Sequence, residues 1–116
     1  MKNLAQCGVF QLGEEIEWEN VGTGIQRKVY GYNDQLMMVK IKFEKGAVGT
    51  LHQHHHTQVS YVESGEFELI IDNENKKLRQ GDGYLVPSNI IHGLFCIEPG
   101  VLVEAFTPCR EDFLKL

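Results

Sequence analysis

Long apolar stretches, basic clusters, helix-type periodicity and paired cysteines are all missing from this chain, and each absence removes a class of protein. No apolar run approaches the roughly 18 residues that a membrane-crossing helix needs, so no membrane partner is expected. The opening segment, MKNLAQCGVFQLGEEIEW, lacks the apolar core of a secretory signal. Its LAQC loosely resembles a lipoprotein cleavage site, but the apolar stretch that must precede one is missing. Eleven Lys and Arg stand against sixteen Asp and Glu, a net charge of −5 with no basic stripe. Phosphate backbones are held by clustered positive charge, so nucleic acid is not an expected partner. The mild acidity serves solubility. The three cysteines, Cys7, Cys96 and Cys109, are odd in number, widely spaced and form no zinc-type pair. Reduced thiols in a cytoplasm are the simplest reading.

What is present is a series of short apolar runs separated by turn chemistry. A chain of 116 residues suits one domain spanning 1–116 with a single hydrophobic core. Runs rich in Val, Ile, Tyr and Phe predict strands at Ile25–Tyr32, Leu36–Phe43, Gln58–Glu63, Glu66–Asp72, Lys76–Leu78, Gly83–Val86, His92–Ile97 and Val101–Phe106. The stretches YNDQ, ESGE, DNEN, RQGDG, VPSN and IEPG separate them as turns. Many short strands with such spacing indicate an all-β sandwich or barrel. A jelly roll fits, because two packed sheets can enclose a pocket while exposing few edges. Only the tail, PCREDFLKL, offers a short C-terminal helical turn.

Four of the five histidines fall within the five residues 52–56, and the fifth is His92. In a strand, alternate side chains share a face. If the segment is extended, His52, His54, His56 and Gln58 therefore face one way and His55 the other. Imidazole nitrogens bind divalent transition metals, and an amide oxygen can add a neutral ligand. A local His-rich tract alone is a weak metal signal. A lone His92 is equally well an ordinary polar residue bonded near a turn.

The spacing sharpens this. Gly46, five residues, His52, one residue, His54, three residues, Gln58, six residues, Gly65 resembles the first motif of the cupin superfamily, with Gln58 in place of its glutamate. Gly81, five residues, Pro87, four residues, His92 looks like the second motif, with Asn89 for a glycine and Cys96 for an asparagine. The resemblance implies an all-β, single-domain cupin jelly-roll β-barrel. It implies one divalent transition metal, Zn, Ni, Mn or Fe, on His52, His54, Gln58 and His92, with His56 left either to support a ligand from behind or to face the substrate. Three imidazoles and an amide would leave that ion its full positive charge, suited to an anionic substrate.

The strand VLVEAF places Leu102, Glu104 and Phe106 on one face. Glu104 points either to solvent or into the cavity, where it could act as a general base. Arg110 either makes a surface ion pair with Glu111 or Asp112 or grips a substrate carboxylate with its planar fork. Arg27, on IQRKVYGY, is either at the surface or on the cavity wall. The Gln58-type motif together with VEAFTPCREDF is similar to the small pectin-degradation cupins. That likeness implies ring opening and ketonisation of 4,5-unsaturated monouronates, from pectin or alginate breakdown, to linear keto sugar acids. It implies roles for Glu104 and Arg110 in catalysis and for Phe106, Arg110, Arg27 and His56 in substrate binding. The family carries aspartate where this chain has Glu104, one methylene shorter. A non-catalytic metal-containing cupin that binds a small sugar or other anion is the alternative reading, and a metal-dependent dioxygenase a further one. A homodimer is expected by the same likeness, since cupins of this size commonly pair through their sheets.

Overall fold

Two strands much longer than any predicted run organise the protein. The computed structural model describes residues 7–114. Its strands are β1 (Glu19–Gly22), β2 (Ile25–Tyr32), β3 (Met37–Phe43), β4 (Val48–His52), β5 (Thr57–Ile71), β6 (Glu74–Arg79), β7 (Gly83–Val86) and β8 (His92–Thr107). Two single 3-10 turns cover Gly13–Glu15 and Glu111–Phe113, the second within the tail expected to be helical.

The stretches ESGE and IEPG, expected to be turns, do not reverse the chain. They are irregularities inside β5 and β8, where the pairing register shifts between Val62 and Phe67. Gly65 adopts a φ of 87°, in the left-handed region that favours glycine. A side chain at Gly65 would meet the Gly100 Cα at 2.6 Å, so the two strands touch backbone to backbone there. Turn-type residues here bend two long strands instead of ending four short ones.

The bend lets each long strand serve two half-sheets. The first half of β8 pairs with β4 and with the second half of β5, which also carries β6. The second half of β8 pairs with β3 and with the first half of β5, which also carries β7. Beyond β3 the sheet continues through β2 to β1. The architecture is the all-β jelly roll that the sequence predicts, although its strand ladder does not close into a hydrogen-bonded ring among the described residues.

Strands β1 and β4 lie outside the predicted runs. ENVG is four mostly exposed residues without alternation, and VGTLH has a glycine at its second position. A Cβ on Gly49 would lie 3.2 Å from Leu94 Cγ, so close packing, not propensity, places β4.

The inward face of β5 changes character along its length. It presents Gln58 and Ser60 first, then Val62, Phe67 and Leu69, all buried. The apolar end builds a core with Phe43, Ala47, Cys96 and Leu102. Phe67 is fully buried and meets Phe43 edge-on at 5.3 Å. Burying one such side chain contributes roughly 1.5–3 kcal/mol. A second cluster joins Met37, Val39, Phe106 and Cys109. The polar end of the same inward face holds the candidate site.

Candidate metal centre and its cavity

Three histidines converge from two separated parts of the chain. His52 closes β4, His54 lies in the loop that follows, and His92 opens β8 opposite His52. One ring nitrogen of each lies within 4.8 Å of the other two. Of the four histidines at 52–56 only His52 belongs to a strand, so alternation is not what gathers the trio. His54 and His56 sit in an irregular segment, and the shared face expected for His52, His54, His56 and Gln58 does not exist as such. Asn89 helps fix the loop instead. Its φ of 64° is the left-handed conformation that asparagine tolerates, and its N–H donates to the His54 carbonyl at 2.7 Å. The glycine position of the second motif can thus hold asparagine here.

The ring orientations follow one rule. Nδ1 of His52 lies 2.8 Å from the Thr50 carbonyl, that of His54 2.9 Å from His56, and that of His92 2.9 Å from Ile90. A carbonyl only accepts, so in each neutral ring the proton sits on Nδ1 and Nε2 carries the lone pair. Burial pushes His92 down to about 4 and holds His54 below its ordinary value, which keeps both rings neutral at physiological pH. The His92 Nε2 is buried without a partner. An orphaned buried acceptor costs about 1–3 kcal/mol. Three lone pairs aimed at one small region, one of them unsatisfied, fit a metal ion.

Gln58 stands beside this cluster, with Oε1 3.1 Å from His54 Nε2. Its Nε2 donates to Ser60 Oγ and to Glu104 Oε2, each at 3.0 Å. Glu104 points inward, not to solvent, and is 6% exposed. Its Oε2 also accepts from the Tyr84 hydroxyl at 3.2 Å and the Ser60 hydroxyl at 3.4 Å. Burial raises its carboxyl to about 7, with the Tyr84 and Ser60 hydrogen bonds and the Arg110 charge opposing the rise. Burial also pushes the Tyr84 phenol well above its ordinary value, so it remains a donor. Neither Ser60 nor Tyr84 stands out in the sequence. Ser60 is two residues from Gln58 and so shares its face, a signal within reach. Tyr84 joins only through the pairing of β7 with β5, which no local pattern reveals.

A cavity of about 760 Å³ opens beside these groups, walled in part by His52, Gln58, Tyr84, His92, Glu104 and Phe106. Arg27, Arg110 and Phe113 complete the wall near the C-terminus. The Arg110 guanidinium is paired with Asp112, Nε to Oδ1 at 3.0 Å and Nη2 to Oδ2 at 2.8 Å. It lies over Phe106 at 5.0 Å and Phe113 at 4.1 Å. The ion pair and the cavity position, read from the sequence as alternatives, coexist. Arg27 lies 3.7 Å over the Phe113 ring and pairs with Glu19 at 2.9 Å. Phe113 is thus contacted by two guanidiniums, a role that no local pattern in the tail signals. Of the two places expected for His56, the structure speaks against the cavity wall, while its carbonyl lies 2.9 Å from His54 Nδ1. His56 is buried against His55, with ring centroids 3.9 Å apart, and is absent from the cavity wall. Its ring also meets that of His54 edge-on, with centroids 5.6 Å apart.

Comparison with known proteins agrees with this fold. The family model described as Cupin domain matches residues 39–106. The chain is 45% identical over 105 residues to the pectin degradation protein KdgF of Dickeya dadantii, covering 89% of this chain and 96% of that one. Among solved structures it resembles an RmlC-like cupin from Shewanella frigidimarina, with 46% identity, TM-score 0.92, and 94% and 98% of the two chains covered. It also resembles KdgF from Halomonas sp., with 40% identity, TM-score 0.89, and 93% and 100% covered.

Proposed function

The chain belongs to the cupin family, and from that premise we propose that it is a metal-dependent enzyme of pectin or alginate breakdown. It opens the ring of 4,5-unsaturated monouronates and promotes their ketonisation to linear keto sugar acids. The observation that carries this reading is the contact between two unlike devices. A trio of imidazoles with outward-directed lone pairs adjoins, through Gln58, a buried carboxylate in an arginine-walled cavity. The relative named for pectin degradation supports the substrate class.

His52, His54, His92 and Gln58 would hold one divalent ion, Zn, Ni, Mn or Fe. Such an ion supplies Lewis-acid stabilisation to a sugar oxygen that becomes negative as the ring opens. The protein's own groups do the rest. Arg110 has two N–H groups engaged by Asp112, which leaves three for the uronate carboxylate. Arg27 adds a second positive charge on the same wall. Phe106 offers an apolar face to the sugar and excludes water. Glu104 Oε2 is held by three donors, whereas Oε1 makes no hydrogen bond among the described residues and is not among the buried orphans. Oε1 therefore takes the proton of the anomeric hydroxyl as the C1–O5 bond breaks and its electron pair passes to O5. Returning that proton to C4 converts the enolate into the ketone, and the atoms balance as an isomerisation.

The test is an assay on metal-free and reloaded protein, following loss of the ultraviolet absorbance of the unsaturated uronate. Reloading should restore turnover, and Glu104→Gln should lower kcat by about 10²–10⁴-fold, the usual worth of a positioned acid–base group. Arg110→Ala should chiefly raise KM. Turnover at the parent rate in both variants would remove these assignments. Tight uronate binding without turnover would make the protein a binding cupin, and activity lost without oxygen would make it a dioxygenase.

The proposal extends to context. A second copy is the proposed partner, seated on the outer face of the sheet that carries the site. The free thiols of Cys7, Cys96 and Cys109 suit a reducing cytoplasm. No helix among the described residues is long and apolar enough to cross a membrane.

A further inference from the structure

The Gln58 amide has a choice of two orientations, and its neighbours decide between them. In one, Oε1 faces His54 and the NH₂ faces Ser60 and Glu104. In the flipped one, the NH₂ would donate to the His54 Nε2 lone pair and Oε1 would face the carboxylate. Flipping would be favourable at His54, where two acceptors otherwise stand 3.1 Å apart. It fails at the opposite end, because Oε1 would then meet Glu104 Oε2, which already accepts from the Ser60 and Tyr84 hydroxyls, at the 3.0 Å now spanned by an N–H donation. It would also remove the donation to Ser60.

These neighbours form one row across three strands. Tyr84 on β7, Ser60 on β5 and Glu104 on β8 are paired in register, with Gln58 one pleat along. Glu104 lies outside the group whose ligand atoms converge within 4.8 Å, so it does not act as a ligand itself. We infer that Glu104 is a positioning residue for the metal centre: it anchors the Gln58 NH₂ and thereby aims Oε1, not nitrogen, at the ion. The same contact explains why this chain carries glutamine at position 58. A glutamate there would oppose Glu104 carboxylate to carboxylate, and two such groups at this distance cannot both ionise.

This inference rests on the metal reading above and has its own test. Metal-free protein is titrated with cobalt(II), whose visible spectrum reports coordination number and geometry as well as affinity. Glu104→Leu, which leaves the amide without its carboxylate, should weaken cobalt binding about 10–100-fold, the usual effect of losing an outer-shell partner. Glu104→Gln removes the charge but keeps an acceptor for the amide, and should weaken binding only a few-fold with the spectrum retained. Equal weakening by both variants would reduce the effect to charge alone and overturn the inference. Unchanged binding in Glu104→Leu would do the same. Because Glu104→Leu could fail to fold, the exchange of partners provides a second arm. Gln58→Glu/Glu104→Gln should bind cobalt more tightly than Gln58→Glu alone, and equal affinity of the two would overturn the inference. Absence of cobalt binding in the parent would instead overturn the metal reading and the inference with it.

Discussion

Within the histidine trio, His92 Nε2 is the atom that most needs an ion, since it is buried and has no partner. Its neighbours have been fixed in advance. Each Nδ1 is tied to a carbonyl of its own local segment, so the three rings are oriented before any metal arrives. Binding to the folded state alone adds stability in proportion to the logarithm of metal concentration over Kd. Added zinc or nickel should therefore raise the melting temperature of the parent by several degrees and leave His92→Ala nearly unmoved, which calorimetry can read. An equal rise in both proteins would place the ion elsewhere. In the proposed site Gln58 and the histidines would all be neutral ligands, leaving the ion a charge that favours an anionic substrate.

Two elements set the geometry around those residues. The first is the paired bend of β5 and β8. A Cβ on Gly100 would run into the Ser64 carbonyl oxygen and the Gly65 Cα. Both obstacles are backbone, so Gly100→Ala should cost about 2–4 kcal/mol in denaturant unfolding. A loss below about 0.5 kcal/mol would mean that the bend can open freely. The second element is the C-terminal segment, where Arg110 and Arg27 grip Phe113 and Asp112 holds Arg110. The bond to Arg110 lowers the Asp112 carboxyl below its ordinary 3.8. A depressed carboxylate stabilises the fold above its unfolded value and loses that contribution as pH falls through its folded value. The clasp is thus intact at neutral pH and fails only in acid. As pH falls below about 4, the parent should lose more thermal stability than Asp112→Asn. Parallel losses would show that the pair contributes nothing.

At the scale of the whole molecule, the back of the site sheet is apolar. Met38, Val59, Tyr61 and Leu85 are each 38–56% exposed. Met38, Ala105, Val59 and Leu85 form one directly paired row across β3, β8, β5 and β7, and Tyr61 lies beside Val103 in the next. A second copy laid on this face would bury a patch of the kind that specific interfaces use, about 800 Å² per partner once its polar rim is included. Light scattering should give the mass of a dimer, and Val59→Lys with Tyr61→Lys should give a folded monomer. A dimer that survives both lysines would use another face.

Composition and spacing by themselves determined the all-β class and most strand positions, and resemblance to the cupin motifs pointed to the three histidines, because turn residues, β-branched runs and motif intervals are local properties. The extended face drawn through His52, His54, His56 and Gln58 and the four separate strands drawn from β5 and β8 went astray for the same reason. Local pattern cannot say whether ESGE reverses a chain or bends it, nor whether a run of histidines stays extended. Only the tertiary structure decided that Glu104 faces inward, that its oxygen meets Gln58, Ser60 and Tyr84, and that Phe113 sits against two arginines. Those contacts join residues as many as 86 positions apart in the sequence (Arg27 and Phe113). They exist because antiparallel register places side chains opposite one another across strands, and register is a property of the assembled sheet.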